Sequence, residues 1–434
     1  MKVLLISAAD KSGELAAPLP IGLACVAAAT ERAGHNVRLL SVAASGERES
    51  RIADAVLQFH PDVIGISARN IDDQDMQHPH FLLASIREFA ANCRHVFSVP
   101  IVLGGAGYSI FPQPALEYLQ ADMGIKGEGE MAFPALLSWI ERGKPGSPPP
   151  GTYLRNGVST TTALVPNFDT FPLPEPSLWL NSSGAEALRI PVQSRRGCPL
   201  DCIYCSTSTI EGRPVRKRSP ESVVRWLTQL RAQGFRSFHF VDNTFNLPPS
   251  YAKDLCRELV QAELGLDWWA IVYPKWVDQE LVELMAKSGC SEISLGFESG
   301  SEPVLKRLNK RFTCIEVKAI SAMFSAVGIK RNGFLLLGGP GETRETVEES
   351  LAFVDSLRLD AVNITVGLRI YPSTPLHSIA LAEGVVRPGD DLLQPRFYLT
   401  GELREWLPER VAAHDESRAT AMMPSSVDKE HVSR

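Results

Sequence analysis

The chain has 434 residues, of which 44% are hydrophobic, and its 44 basic and 50 acidic side chains give a formal net charge of −6. This length predicts two or three domains with real hydrophobic cores. The slight acidity and the lack of a dense basic block argue against nucleic acid as a partner. No apolar run reaches the roughly 18 residues that a membrane span needs.

Cysteine content and the N-terminus indicate a cytoplasmic protein. Eight cysteines in a chain of this size do not form a disulfide framework, so we expect a reducing compartment. The apolar start from Met1 to Ser7 is too short for the core of a signal peptide. Five scattered cysteines are expected to be small buried hydrophobes, namely Cys25, Cys93, Cys256, Cys290 and Cys314.

The first third of the chain alternates strand-like and helix-like stretches. The predicted strands are Lys2 to Ile6, Val37 to Val42, Val63 to Ser67 and Ile101 to Gly105. The predicted helices are Ile21 to Ala33, Arg51 to Phe59, Phe81 to Ala91, Pro114 to Leu119 and Met131 to Glu141. This α/β alternation predicts a Rossmann-like, doubly wound parallel sheet over residues 1–142, with any ligand at the carboxyl ends of its strands.

Residues 143–188 have a different composition. They include the proline-rich runs Pro148 to Gly151 and Phe171 to Pro176, and they predict a linker. Just before them, the segment Ile125 to Glu130 places glycines between charges, which is typical of a turn that leads into an acidic helix start.

Strand and helix patterns alternate again over residues 189–378. The predicted strands are a first one through Val192, then Ser237 to Val241, Trp268 to Tyr273, Glu292 to Phe297, Asn332 to Leu337 and Ala361 to Ile370. The predicted helices are Ser219 to Gln233, Tyr251 to Glu263, Asp278 to Ser288, Glu302 to Leu308, Ile315 to Val327 and Glu345 to Leu357. Six strand-helix steps are too few for a closed eight-stranded barrel and predict a partial (β/α)6 barrel. A short C-terminal extension, 379–434, follows, and its polar end from Met422 is expected to be disordered.

Three cysteines, Cys198, Cys202 and Cys205, stand at CxxxCxxC spacing behind the first barrel strand. Three thiolates can hold three irons of a 4Fe-4S cluster and leave the fourth iron open. The alternative, a structural zinc site, needs a fourth ligand with its own spacing, and the nearest downstream histidine, His239, stands alone. The basic residues around the loop, Arg195, Arg196 and Arg213 to Lys217, are either solvated surface or contacts for an anionic ligand.

With Tyr204 just before the last cysteine, this loop resembles the signature of the radical S-adenosylmethionine (SAM) enzymes, and the six-step barrel resembles their open three-quarter barrel. In that family the open iron binds the amino and carboxylate groups of SAM. An electron then cleaves SAM to a 5'-deoxyadenosyl radical. The resemblance implies an external electron donor of flavodoxin or ferredoxin type.

The same resemblance gives roles to residues at the barrel strand ends. It implies that Asp242 binds the SAM amino group, Glu298 with Ser299 the ribose, and Lys310 the carboxylate. It also implies that the backbone of the segment with Leu337 and Gly339 packs on the adenine, and that Tyr371 belongs to a Tyr-Pro-Gly-Thr-Pro-like loop. Two departures are Leu337 for the family's Ile and Ser373 for its Gly. Asp242 has the alternative role of a helix or turn cap. Trp268, Trp269 and Tyr273 belong either to a substrate space or to the barrel core.

The first third resembles the cobalamin-binding domain that is often fused to these enzymes. The resemblance places Ser67, Gly104 and Gly105 against the corrin and its nucleotide tail, with the segment Ile125 to Glu130 beside the tail. The family's cobalt-ligating histidine has no counterpart, because residues 10–13 read Asp-Lys-Ser-Gly. Without that ligand, a relic domain that binds no cobalamin remains an alternative.

Arg69 lies two residues after the third predicted strand, where the cobalt-ligating type more often has an apolar residue. Because arginine is a very poor metal ligand, a guanidinium near the lower face would help to keep reduced cobalt four-coordinate. The alternative is a surface ion pair of Arg69 with Asp72 or Asp73.

The resemblance as a whole implies a cobalamin-dependent radical SAM enzyme that methylates an unactivated carbon of a small molecule or lipid. One SAM would methylate the reduced cobalt, and a second would give the radical that removes the substrate hydrogen. The alternatives are a radical SAM enzyme that rearranges or oxidises its substrate without methyl transfer, and a non-catalytic cobalamin or metal sensor. A DNA-binding segment would favour the sensor, and the sequence shows none.

Overall fold

The structure is a computed structural model that describes residues 1–8, 20–42, 48–96, 99–165, 167–180 and 189–422. Two six-stranded sheets organise these residues. No helix in the described ranges is long and apolar enough to cross a membrane. The cysteines whose side chains are described are all free thiols.

The first sheet is built by the N-terminal part of the chain. Its strands are β1 (Lys2–Ala8), β2 (Asn36–Val42), β3 (Val63–Ser67), β4 (Ile101–Gly104), β5 (Met123–Ile125) and β6 (Thr152–Leu154). Its helices are α1 (Ile21–Arg32), α2 (Arg48–Phe59), α3 (Leu83–Val96), α4 (Ala106–Ile110), α5 (Pro112–Tyr118) and α6 (Gly129–Glu141). The strand order is β2-β1-β3-β4-β5-β6, with the first five strands parallel. Every residue of β3 is buried, as expected for a strand covered by helices on both faces.

Part of the predicted linker 143–188 belongs to this sheet. Strand β6 pairs antiparallel with β5 at the sheet edge, so the first structural unit extends beyond residue 142. The sequence did not predict β5, β6 or α4, because three to five residues are too few for a period to be recognised.

The second sheet is the predicted partial barrel. Its strands are β7 (Ile190–Val192), β10 (Ser237–Phe240), β11 (Asp267–Val272), β12 (Cys290–Glu298), β13 (Lys330–Leu337) and β14 (Ala361–Val366). The short strands β8 (Arg195–Arg196) and β9 (Arg216–Lys217) pair only with each other. They lie side by side in the order β7-β10-β11-β12-β13-β14, and every pair is parallel. The α/β fold class predicted from the sequence is therefore confirmed.

Helices alternate with the strands of this barrel. They are α7 (Ser177–Leu180), α9 (Pro220–Ala232), α10 (Pro249–Ala262), α11 (Gln279–Lys287), α12 (Glu302–Arg307), α13 (Cys314–Ala326) and α14 (Arg344–Ser356), and the short α8 (Thr207–Glu211) contacts α4 of the N-terminal part. Their starts follow local sequence signals: Ser219 caps α9 ahead of Pro220, and Thr313 forms a capping box with Glu316 at α13. In β13, buried residues alternate with partly exposed ones such as Phe334 and Leu336, which face an open lumen.

The chain that follows β14, including the C-terminal extension, packs against the last barrel strand and beside the barrel interior. It contains β15 (Leu368–Arg369), which pairs with β16 (Phe397–Tyr398), and the helices α15 (Pro375–Ala382) and α16 (Trp406–Met422). Leu403, Leu407 and Val411 are buried in the same hydrophobic core as the barrel strands. The extension is therefore part of the barrel core up to α16.

Candidate functional site

The three cysteines of the CxxxCxxC loop lie at the mouth of the barrel and line one cavity of about 350 Å³. The loop begins at Gly197, whose φ of +92° and tight packing against the Pro214 carbonyl leave no room for a Cβ. A hydrogen bond of 3.2 Å from the Cys205 amide to the Cys202 carbonyl turns the backbone between the last two cysteines. The loop thus directs three thiols into one space.

The ligand spacing separates a cluster from a zinc site. Among the described residues, no group of three Cys, His, Asp or Glu side chains lies close enough together to hold one metal ion. A cubic 4Fe-4S cluster instead takes each thiolate on a different iron, so its ligands stand farther apart. Burial raises the pKa of the Cys198 and Cys202 thiols, and iron binding would displace their protons. A loop of three thiols that line one cavity, with no fourth ligand grouped with them among the described residues, fits the cluster better than a closed zinc site.

A polar triad completes this cavity. Lys310 donates to the Tyr204 hydroxyl at 2.9 Å and to Glu298 at 3.1 Å, and Tyr204 donates to the same carboxylate oxygen at 2.9 Å. Burial alone would lower the pKa of Lys310, but Glu298 and Tyr204 raise it well above its ordinary value, so the ammonium stays charged. Glu298 ends β12 at a bulge with a φ of +65°, a strained conformation that is common at functional sites.

Asn243, and not Asp242, faces the cavity at the end of β10. Asp242 is fully buried and accepts hydrogen bonds from the Ser194 amide and hydroxyl and from the Arg195 amide. Asn243 lines the cavity and donates to Glu211 at 2.6 Å. The sequence could have predicted this choice. Phe238 and Phe240 are buried and the odd-numbered residues of the strand are less buried, so the same alternation places Asn243, and not Asp242, on the cavity side.

Three other predicted SAM contacts support the strand ends without lining the cysteine cavity. Ser299 is buried and bonds to the Ser350 hydroxyl at 2.9 Å. Leu337 is buried beneath the helices, and the Gly339 amide donates to Glu342 at 3.0 Å. Burial raises the pKa of Glu342 to about 7. The adenine contact predicted for Leu337 and Gly339 can involve only their backbone.

A larger cavity of about 1030 Å³ lies between the two sheets. The N-terminal domain contributes Ser67, Arg69, Gly104 and Gly105, the four residues predicted to contact cobalamin. A Cβ on Gly104 would meet no atom within 4 Å, whereas Gly105, at a φ of +103°, packs against the Ala68 carbonyl. The glycines thus form a smooth concave wall at the strand ends, and the size and lining of the cavity fit a corrin.

The other cobalamin-related predictions have mixed outcomes. The segment 10–13, which lacks the ligating histidine, lies outside the described residues. The surface ion pair predicted as an alternative for Arg69 is wrong: Asp72 pairs with Arg369 at 2.8 Å, and Asp73 binds backbone amides of its own loop.

Buried arginines join the two domains, and sequence reasoning missed them. Arg196 pairs with Glu130 at 2.5 Å and with Glu128 at 3.5 Å, and Arg216 bonds to Glu128. All four side chains are less than a tenth exposed. The interpretation of these arginines as solvated surface is therefore wrong, and Glu128 and Glu130 are more than an acidic helix start.

A third cavity, of about 830 Å³, is the barrel lumen. Its walls include Trp269, Phe334 and Tyr371, and a loop of the N-terminal domain that contains Met76 covers one side. Of the three aromatic residues left open by the sequence, Trp268 is in the core, Tyr273 lines the cysteine cavity, and Trp269 lines the lumen.

The three cavities adjoin one another. Asn243 lines both the cysteine cavity and the large interdomain cavity, and Trp269 lines both the interdomain cavity and the lumen. Tyr204 and Glu298 line both the lumen and the cysteine cavity. A three-cysteine cluster loop at the mouth of a six-stranded parallel barrel, next to a Rossmann-like domain, defines a radical SAM enzyme with an accessory domain.

Comparisons with known proteins agree with this class. The family model described as Radical SAM superfamily matches residues 192–354, and the B12 binding domain model matches residues 17–137. The chain therefore carries a domain that matches the radical SAM superfamily and, before it, a domain that matches the B12 binding domain. Its cofactors are a 4Fe-4S cluster, SAM and cobalamin.

Curated relatives match along most of the chain. An uncharacterized methyltransferase of Pyrococcus horikoshii is 29% identical over 378 residues, which cover 85% of this chain and 79% of the relative. The cytidylyl-2-hydroxyethylphosphonate methyltransferase of Streptomyces wedmorensis is 27% identical over 402 residues, covering 77% and 72%. The tryptophan 2-C-methyltransferase of Streptomyces laurentii is 21% identical over 421 residues, covering 81% and 70%.

The fold is shared with solved structures. The radical SAM methyltransferase TsrM from Kitasatospora setae, with tryptophan and a SAM analog bound, superposes with a TM-score of 0.82 at 22% identity, over 96% of this chain and 88% of TsrM. The cobalamin-dependent enzyme OxsB with aqua-cobalamin bound gives a TM-score of 0.74 at 17% identity, over 92% and 64%.

Proposed function

We propose that this chain is a cobalamin-dependent radical SAM methyltransferase that acts on an unactivated carbon of a small molecule. The observation that carries this proposal is the meeting of three cavities at shared wall residues, Asn243, Trp269 and the pair Tyr204 and Glu298. SAM, cobalamin and substrate would each have a cavity, and each would adjoin the other two. The methyltransferase relatives support the same reaction.

The cysteine cavity would hold the cluster and SAM. Cys198, Cys202 and Cys205 would ligate three irons. The Asn243 side-chain oxygen is an acceptor for the SAM ammonium, and Lys310 and Glu298 would bind its carboxylate and ribose. Because Tyr204 and Lys310 already hold Glu298, its carboxylate is oriented before SAM arrives.

When bound, the cluster supplies the electron that cleaves SAM, and cobalamin carries the methyl group to the substrate. Gly104 and Gly105 would let the corrin lie against the backbone, and Ser67 would face it at the strand end. Arg69 would place a positive charge near the cobalt without ligating it. An external one-electron donor of flavodoxin or ferredoxin type would reduce the cluster in the cytoplasm.

The lumen would hold the substrate. Its lining includes the apolar side chains of Ile271, Leu336 and Ile364 and the acidic side chains of Asp73, Asp75 and Asp415. Arg369 also lines the lumen, but its guanidinium already donates hydrogen bonds to Asp72 and to backbone carbonyls. An apolar body with neutral or cationic groups suits this lining better than a phosphate-bearing one.

The test is anaerobic reconstitution followed by incubation with SAM, labelled at the methyl carbon, and a reductant. We expect about four irons per chain, bound corrinoid, and formation of both 5'-deoxyadenosine and S-adenosylhomocysteine. Replacing all three loop cysteines with Ala should abolish the iron-sulfur spectrum and SAM cleavage. A normal iron-sulfur spectrum in that triple variant would refute the proposal.

The product pattern also distinguishes the alternatives. Formation of 5'-deoxyadenosine without S-adenosylhomocysteine in cobalamin-loaded protein would indicate rearrangement or oxidation without methyl transfer. Binding of corrinoid with no SAM cleavage at all would indicate a sensor.

A further inference from the structure

One carboxylate connects the start of the cysteine loop to the end of β10. Glu211, the last residue of α8, accepts hydrogen bonds from the Gly197 amide at 2.9 Å and from the Asn243 side-chain amide at 2.6 Å. Both bonds end on the same carboxylate oxygen, while the other oxygen accepts a longer bond, of 3.3 Å, from Gln193. Glu211 thus holds two groups beside the cysteine cavity without lining that cavity itself.

The bond to Glu211 fixes which end of the Asn243 amide is left free. A carboxylate only accepts hydrogen bonds, so the group of Asn243 that meets it is the NH2 and not the oxygen. The oxygen therefore lies on the other side of the planar amide. It has no hydrogen-bond partner among the described residues, and it is accessible, since Asn243 is only half-buried.

The walls of the two cavities show toward which space this oxygen is directed. Asn243 lines both the cysteine cavity and the interdomain cavity, whereas Glu211 lines the interdomain cavity and not the cysteine cavity. The NH2 of Asn243 is therefore held on the interdomain side, and its oxygen is left for the cysteine cavity. Burial raises the pKa of Glu211, but the Gly197 amide and the charge of Arg196 oppose this shift and favour the accepting carboxylate.

We propose that Glu211 is a positioning residue that turns the Asn243 side-chain oxygen toward the SAM ammonium. An ammonium group only donates hydrogen bonds, so an Asn243 amide that presented its NH2 to it would bind nothing. With Glu211 in place, the amide is oriented before SAM arrives, and SAM binding does not have to order it. This inference rests on the proposed function for the placement of SAM in the cysteine cavity.

The test is the equilibrium affinity of the cluster-reconstituted protein for SAM, measured by anaerobic dialysis without a reductant so that SAM stays intact. Glu211→Met keeps the length of the side chain but removes the acceptor, and it should raise the dissociation constant about fivefold, the loss of one hydrogen bond. Glu211→Gln keeps one oxygen that can accept both bonds, so its dissociation constant should stay within about twofold. Glu221→Met, at an exposed glutamate in the first turn of α9, is the matched control and should change nothing.

A double variant separates positioning from a merely structural role. If Glu211 acts through Asn243, Glu211→Met should cause no further loss of SAM affinity in a chain that already carries Asn243→Ala. A further loss in that chain, or a loss of iron from Glu211→Met alone, would show that Glu211 acts on the cysteine loop through Gly197 and would overturn the inference. An unchanged dissociation constant in Glu211→Met would overturn it as well. Failure of the unchanged protein to bind SAM would instead contradict the proposed function.

Discussion

At the scale of single residues, strand parity decides which side chains meet the ligands. Asp242 and Asn243 are adjacent in the chain. Asp242 is buried and holds the backbone at Ser194 and Arg195, whereas Asn243 lines two cavities. Successive residues of an extended strand point to opposite faces, so a shift of one position exchanges a binding role for a supporting role. The positions of Arg69 and Glu298 in the cavity walls likewise depend on where β3 and β12 end.

We expect Asn243→Ala to weaken SAM binding about tenfold while iron content and stability stay unchanged, because it removes one hydrogen-bond partner in a dry site. Asp242→Ala should instead destabilise the protein by about 3 kcal/mol, since it leaves the Ser194 amide, the Ser194 hydroxyl and the Arg195 amide buried without their acceptor. Urea unfolding and SAM titration on both variants check this. Weakened SAM binding by Asp242→Ala at full stability would restore Asp242 as the direct contact.

Arg69 gives a spectroscopic prediction. In cobalamin-loaded protein, we expect the electron paramagnetic resonance spectrum of Co(II) to lack superhyperfine splitting from an axial nitrogen, and Arg69→Leu to change that spectrum. Arg189→Leu removes a cation from the barrel side of the same cavity and serves as the control. Nitrogen splitting in the unchanged protein would refute the unligated arrangement.

At the scale of elements, two short segments attach the cobalamin-binding domain to the barrel. The start of α6 supplies Glu128 and Glu130 to buried arginines of the barrel domain. In the loop after β3, Asp72 forms an ion pair with Arg369. Met76 of the same loop packs on Gly367, which lies between β14 and β15. Both segments lie beside ligand cavities, so they fix the distance between the cofactors as well as the domain contact.

The ion pair of Glu130 with Arg196 predicts a pH dependence. Burial alone would raise the pKa of Glu130, but Arg196 lowers it below its ordinary value. Stability from this pair is therefore fully present above pH of about 5 and is lost as the pH falls through the lowered pKa. Urea unfolding at pH 7 should show a loss of about 3 kcal/mol in Glu130→Gln, and a smaller difference in acid.

Glu141→Gln is the control for that measurement, because Glu141 ends the same helix but is 44% exposed and should contribute little. A Glu130→Gln variant as stable as the unchanged protein at pH 7 would show that the buried pair does not hold the domains together.

At the scale of the whole molecule, the binding sites belong to the junction of the two domains. The interdomain cavity has walls from both sheets, and the lumen is covered by an N-terminal loop and by α16. A ligand in the interdomain cavity therefore stabilises the association of the domains as well as its own site.

Cobalamin should raise the midpoint of thermal unfolding by several degrees when present at a hundredfold excess over its dissociation constant. Gly104→Val should abolish that rise, because its side chain would enter open cavity space, and should leave the midpoint of the cobalamin-free protein nearly unchanged. Scanning calorimetry with and without hydroxocobalamin checks both. An equal rise in Gly104→Val would place cobalamin elsewhere.

The sequence by itself determined the order of the elements, the two α/β units and the cysteines of the cluster loop. These features come from local signals: hydrophobic period, chain-order alternation, and three ligands within eight residues. Because these signals are local, the sequence could not predict short strands such as β6, which has too few residues to show a hydrophobic period.

Only the tertiary structure decided which side chains share a cavity. The choice between Asp242 and Asn243, the pairing of Arg196 with Glu130 across 66 positions, and the stacking of His239 on Trp269 all arise between separate elements. Such contacts depend on strand register and on how two domains dock, and these are properties of the packed core that no local pattern in the chain encodes.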